Sequence, residues 1–132
     1  MDQKTLRRGL VAAAAMNIGG VLLFSRAFTN EAISVADPAV MSRFGLLMIL
    51  VWGLTYLAAA TLEGRIRWLL GAFALEKLAY VVAWLVWMSG NSLKAVYEMD
   101  LFAGIFYSIY GVNDLVFMIF FIQAFVTQGR ER

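Results

Sequence analysis

The sequence contains no cysteine and no histidine among its 132 residues, and it contains only one proline. These absences exclude disulfide bonds, thiol redox chemistry, zinc sites built from histidine or cysteine, and histidine-ligated haem. A single proline and the scarcity of serine-rich or lysine-rich stretches leave no long linker between domains. We therefore expect one domain, and we expect neither a metal nor another cofactor.

Charge is also scarce, because only 15% of the residues are charged whereas 62% are hydrophobic. An ordinary soluble domain has more charge and less apolar surface, so the composition predicts an all-α integral membrane protein. Four apolar stretches approach the length of about 20 residues that crosses a bilayer. We expect a single membrane domain, a four-transmembrane-helix antiparallel bundle, with spans near residues 9–27, 41–62, 67–88 and 101–125.

The first apolar stretch follows a short basic head. This order is also typical of a secretory signal peptide, and Ser25 and Ala27 are small enough to suit cleavage. Asn17 lies in the middle of the run, where a signal peptide has no need of a polar residue. We therefore expect a retained membrane helix.

The connections contain several signals for helix ends. Asp37 followed by Pro38 is typical of a helix start, so the second membrane helix is expected to begin there. Gly64 can adopt the left-handed conformation that ends a helix, which predicts a tight turn and a hairpin of the second and third spans. Residues 93–100 are expected to form a short helix at the membrane surface, with Leu93, Val96 and Tyr97 facing lipid.

The basic residues are distributed unequally between the two sides of the predicted bundle. With the N-terminus inside, seven lie in inner segments and three in outer segments, which favours two cytoplasmic termini. We expect the bacterial inner (plasma) membrane, with Arg26 and Arg43 anchored at lipid headgroups. The inner set is Lys4, Arg7, Arg8, Arg65, Arg67, Arg130 and Arg132, and the outer set is Arg26, Arg43 and Lys94.

The most polar residues of the spans fall at one depth. At a rise of 1.5 Å per residue, Asn17, Glu76, Lys77 and Asp114 lie about 12 to 16 Å from the inner boundary of a hydrocarbon core roughly 30 Å thick. Tyr56 lies slightly nearer the inside. Charged side chains at this depth are costly unless they are hidden and paired, so we expect them to meet inside the bundle.

Two acids and one base meet in this plane. We predict that Lys77 pairs with Asp114, either as a structural ion pair that fixes helix register or as part of a functional site. Glu76 then lacks a counter-charge, and such an acid is a candidate proton carrier, cation binder or general acid, unless Tyr80 or Asn17 simply satisfies its protonated form. Its expected partners are Tyr56, Tyr80, Tyr110 and Asn17, and helical periodicity adds Trp52, Tyr107 and Asn113 to the candidate ligand-binding or proton-binding residues.

Three functions are compatible with this sequence. We favour binding or transport of a small amphipathic molecule or a proton at the midplane site. The alternatives are an accessory or assembly subunit of a larger membrane complex, and a membrane enzyme acting on a lipid or isoprenoid, for which no catalytic residue is assigned. We expect membrane lipid around the bundle and no nucleic-acid partner. The sequence leaves open whether copies of the chain associate with one another. An enclosed cavity of about 300 Å³ beside Glu76 would favour a ligand, and a filled core would favour a scaffold.

Overall fold

A computed structural model describes residues 1–131 of the chain. Within that range helices are the only regular secondary structure, as the composition predicts, and there are six of them. They are α1 (Gln3–Phe24), α2 (Glu31–Ala36), α3 (Arg43–Ala59), α4 (Arg67–Gly90), α5 (Leu93–Met99) and α6 (Leu101–Arg130).

Three of these helices, α1, α4 and α6, are long and apolar enough to cross a membrane. The remaining long helix, α3, is also apolar but has 17 residues, which is the lower limit for a membrane span. Large apolar side chains such as Leu75, Val86 and Val116 are mostly exposed on the outside of the bundle. This exposure is that of a membrane protein, since a soluble protein rarely leaves such extensive apolar surface in contact with water.

The helices pack as two pairs. Helix α1 packs along α3 and α4 packs along α6, while a smaller contact between α1 and α6 joins the pairs. One apolar core, which includes Leu10, Phe73 and Phe121, fills the end of the bundle near the two termini. A second core, which includes Ile33 and Trp87, fills the opposite end. The polar residues of the predicted plane lie between these two cores.

The second long helix does not begin at Asp37. Asp37 instead ends α2, and its carboxylate accepts a bond from the amide of Val40 in the following turn. The side chain of Ser42 caps α3 by accepting a hydrogen bond of 3.0 Å from the amide of Gly45. The predicted start is therefore wrong, because a second side chain that can cap a helix occurs five residues later, immediately before the apolar run.

The predicted turn between α3 and α4 is present, with Gly64 at φ +82°. The predicted hairpin packing is wrong, however, because each helix packs mainly against a different partner. In the half nearest the turn, α3 and α4 still meet through side chains, with the rings of Tyr56 and Phe73 4.8 Å apart. Away from the turn a groove separates the two helices.

The predicted surface helix forms as α5, but it packs on α6 rather than presenting its whole apolar side to lipid. Val96 is buried in the second core, so its predicted lipid exposure is wrong. Tyr97 is partly exposed, and its hydroxyl hydrogen-bonds with Ser108 at 2.7 Å. Gly104 allows this packing, because a Cβ there would lie 2.4 Å from the Tyr97 ring.

A polar latch, formed by Arg26, Asn30 and Asp100, joins the turn after α1 to the start of α6. Arg26, which we expected at lipid headgroups, forms a salt bridge of 2.8 Å with Asp100. The Asn30 amide donates to the same carboxylate at 2.8 Å, and Asp100 also caps α6. Arg26, Ala27 and Phe28 all have positive φ values, which non-glycine residues adopt only where surrounding contacts hold them. Arg43 lies 3.6 Å from Glu31, and both side chains are exposed.

We expect Asp100→Ala to lower the free energy of unfolding by about 1 kcal/mol through loss of the helix cap alone. The hydrogen bond from Arg26 lowers the pKa of Asp100 to about 2, below the value of about 3.9 in an unfolded chain. The contribution of the carboxylate is therefore complete above about pH 4 and is lost as the pH falls towards 2. Unfolding in micelles between pH 2 and 6 will show a steeper acid loss for the wild type than for Asp100→Ala; parallel curves would contradict the latch.

Candidate functional site

Lys77 is the centre of the polar plane. It lies on α4 and is almost completely buried, with 1% of its surface exposed. Its ammonium group donates to Asp114 Oδ1 at 2.9 Å and to Asn17 Oδ1 at 3.0 Å, and it lies 5.2 Å from the centre of the Tyr56 ring. The predicted pairing of Lys77 with Asp114 is thus present, and it joins α4 to α6 inside the bundle.

Asn17 extends the network from α4 to the other helix pair. Its side-chain nitrogen donates to the backbone carbonyl of Ile49 on α3 at 3.0 Å, while its oxygen accepts from Lys77. Asn113 donates to Asp114 Oδ1 at 3.2 Å. Four helices are therefore connected by one set of hydrogen bonds, and the lysine charge is balanced by one carboxylate. A buried ion pair held by several hydrogen bonds resists changes in helix register.

Glu76 stands apart from that network. One carboxylate oxygen accepts a hydrogen bond from the hydroxyl of Tyr56, which is itself fully buried. The other oxygen, Oε1, is buried and has no hydrogen-bond partner among residues 1–131. Because Lys77 is committed to Asp114 and Asn17, Glu76 has no cation of its own. A buried carboxylate oxygen without a partner is costly, so this oxygen would gain from a hydrogen-bond donor.

Glu76 lies against the groove between α3 and α4, which has a volume of about 530 Å³. The groove is open along one side rather than enclosed, so it differs from the closed cavity that we considered from the sequence. Tyr80 is half-buried and lines the groove together with Trp52. From Phe44 to Trp52 the α3 wall extends for about 12 Å, at 1.5 Å per residue. The other walls are apolar and comprise Ala39, Val40, Gly45, Met48, Ala79 and Ala83.

Two predicted partners of Glu76 lie elsewhere. Tyr110 lines a separate cleft between α1 and α6, and its hydroxyl has no hydrogen-bond partner within the described chain. Asn17 binds Lys77 instead of Glu76. A fourth tyrosine, Tyr107, donates to the backbone carbonyl of Ile33 at 2.6 Å and stacks on Trp87, so it joins α6 to α2 outside the polar plane.

Sequence reasoning identified Trp52 but missed the other apolar residues of the groove walls and the role of Trp84. Helical periodicity could have predicted these walls, because Gly45 and Trp52 share a helix face with Tyr56, and Ala83 shares one with Glu76. The indole of Trp84 donates to the Tyr107 carbonyl at 2.7 Å and lies against Gly111. Nothing in the residue pattern indicates which carbonyl a tryptophan will reach.

The site contains two carboxylates and no third ligand of a kind that metals commonly bind. Across residues 1–131, no group of three or more histidine, cysteine, aspartate or glutamate side chains could hold a metal ion. Comparison with known protein families, curated proteins and solved structures finds no significant match. The chemistry of the site therefore has to be inferred from its own geometry.

Proposed function

We propose that the chain crosses the membrane four times, with α3 as the fourth span and both termini in the cytoplasm. The 17 residues of α3 suffice for a span at the short end of the observed range. The excess of basic residues near the termini and the α3–α4 turn supports this orientation. A helical bundle with short connections fits the bacterial inner membrane.

We propose further that the protein binds a small amphipathic molecule whose cationic or hydrogen-bond-donating head meets Glu76. The observation that carries this proposal is that Glu76, whose buried Oε1 has no hydrogen-bond partner within residues 1–131, lines a groove open between α3 and α4. A donor from a ligand would satisfy this oxygen, and a positive charge would balance the carboxylate.

The walls of the groove define the rest of the ligand. They are apolar apart from Glu76 and Tyr80, so the body of the ligand is hydrophobic and reaches the groove from the lipid. The length of the α3 wall, about 12 Å, suits a compact or medium-length apolar body rather than a whole phospholipid. Ligand sites generally combine such apolar walls with a few polar groups that fix orientation.

Three probes that share one alkyl chain length test this proposal. Decylamine, decanol and decanoate differ in head group, and radiolabelled forms of each can be measured on the protein in lipid nanodiscs against empty nanodiscs. We expect saturable binding of decylamine, weaker binding of decanol and no binding of decanoate, because the groove holds one acidic group without a counter-charge. Glu76→Gln should weaken decylamine binding at least tenfold, or about 1.4 kcal/mol.

Glu63→Gln is the matched control, since Glu63 is exposed near the α3–α4 turn and does not line the groove. It should leave decylamine binding unchanged. Glutamine at position 76 can still accept the Tyr56 hydrogen bond, so the fold should be retained. Equal binding of the three probes, or equal affinity of the wild type and Glu76→Gln for decylamine, would overturn the proposed ligand site.

An accessory role in a membrane complex is the second candidate. It is favoured by the Lys77–Asp114–Asn17 network, in which the buried lysine bonds to side chains of two other helices. In that case the only role of the polar plane is to hold the four helices in register. Retention of a co-purifying membrane protein by wild type and Glu76→Gln alike, with no decylamine binding, would favour this role.

A further inference from the structure

A second cleft lies between α1 and α6, on the Asp114 side of Lys77. It has a free volume of about 50 Å³. One water molecule requires about 10 to 15 Å³ of such volume, so the cleft has room for roughly three to five. Its polar lining residues are Asn17, Tyr110, Asn113 and Asp114, and the rest of its lining is apolar.

The Tyr110 hydroxyl is the first sign that this cleft binds something. The side chain is 93% buried, because 7% of its surface is exposed, and the hydroxyl has no protein partner within residues 1–131. Its ring is held between Phe106, at 5.3 Å, and Trp84, at 6.4 Å. A buried tyrosine hydroxyl normally finds a hydrogen-bond partner, and since Tyr110 lines the cleft, a small molecule bound there would supply one.

Asp114 supplies the second polar group. Its hydrogen bonds from Lys77 and Asn113 both reach Oδ1, which leaves Oδ2 for a donor in the cleft. Since Lys77 already balances the charge of Asp114, the cleft offers no net charge to attract an ion. It offers one carboxylate acceptor and one hydroxyl that can both donate and accept. Water matches this pair, because it donates to a carboxylate and accepts from a hydroxyl at the same time.

We propose that the cleft between α1 and α6 binds a small cluster of water molecules held by Tyr110 and Asp114. This cluster gives the Lys77–Asp114 pair an exchange route for protons that is separate from the groove at Glu76. Lys77, which is almost fully buried, lines neither the cleft nor the groove. The hydrated cleft does not depend on the proposed ligand, and either can fail without the other.

Hydroxyl-radical footprinting tests the water cluster, because radicals formed from bound water by a synchrotron beam oxidise the side chains beside it. Tyr110 should be oxidised at least fivefold faster than Tyr107. Tyr107 is the internal control, since it is also buried but its hydroxyl donates a hydrogen bond to the Ile33 carbonyl. Equal rates at the two tyrosines would overturn the proposal.

Two glycines provide matched variants. A Cβ at Gly20 or at Gly19 meets no atom within 4 Å, but only Gly20 lines the cleft. Gly20→Leu should fill the cleft, lower Tyr110 oxidation at least threefold and slow deuterium exchange of the Lys77 ammonium group, measured by NMR, at least tenfold. Gly19→Leu should change neither rate. Unchanged oxidation and exchange in a folded Gly20→Leu protein would contradict the water cluster.

Discussion

Lys77→Met is expected to lower the free energy of unfolding by about 3 to 5 kcal/mol, the usual cost of removing one partner of a buried ion pair. The substitution leaves the Asp114 carboxylate, which is 7% exposed, without a counter-charge, and it also removes the donor to Asn17. Methionine has nearly the same length as lysine, so the loss reflects charge and hydrogen bonding rather than a large cavity. Equilibrium unfolding in mixed micelles measures it.

The control is Lys94→Met, because Lys94 is exposed on α5 and makes no salt bridge within the described chain. It should change stability by less than about 0.5 kcal/mol. The double variant Lys77→Met with Asp114→Leu should recover most of the loss, since an apolar pair of similar volume often replaces a buried ion pair without cost. A single Lys77→Met variant as stable as wild type would show that the pair does not hold the bundle together.

Gly111→Ala is expected to destabilise the protein by about 1 to 3 kcal/mol through overpacking. A Cβ at this position would lie 1.9 Å from Cδ2 of Trp84, much closer than two carbon atoms can approach. The indole cannot easily move away, because it donates to the Tyr107 carbonyl at 2.7 Å. Helices α4 and α6 would have to separate. The same unfolding measurement tests this loss.

Gly19→Ala is the matched control for this substitution. It also places alanine in the interior of a membrane helix, but its Cβ meets no atom within 4 Å. Alanine is favoured over glycine in a helix by roughly 0.5 to 1 kcal/mol, so the control should be neutral or slightly stabilising. A Gly111→Ala protein that matches this control would contradict the close packing of α4 on α6.

The polar centre was predictable in part from residue spacing. The depths of Asn17, Lys77 and Asp114 along their helices require only the rise per residue, and the structure brings these three side chains together. The place of Tyr110 was not predictable in the same way. Tyr110 and Asp114 share a helix face and both line the α1–α6 cleft, whereas Glu76 lines the groove between α3 and α4. The side to which Glu76 points depends on how α4 packs against its partner helix.

The sequence by itself determined the helical class, the membrane environment and the need to pair Lys77, because composition and depth follow from the order of residues alone. Only the tertiary structure decided that α3 packs on α1 and α4 on α6, leaving a groove beside Glu76. Apolar side chains face lipid or protein at similar cost, so hydrophobicity does not select helix neighbours in a membrane. Close packing at positions such as Gly111 and hydrogen bonds across the bundle make that selection.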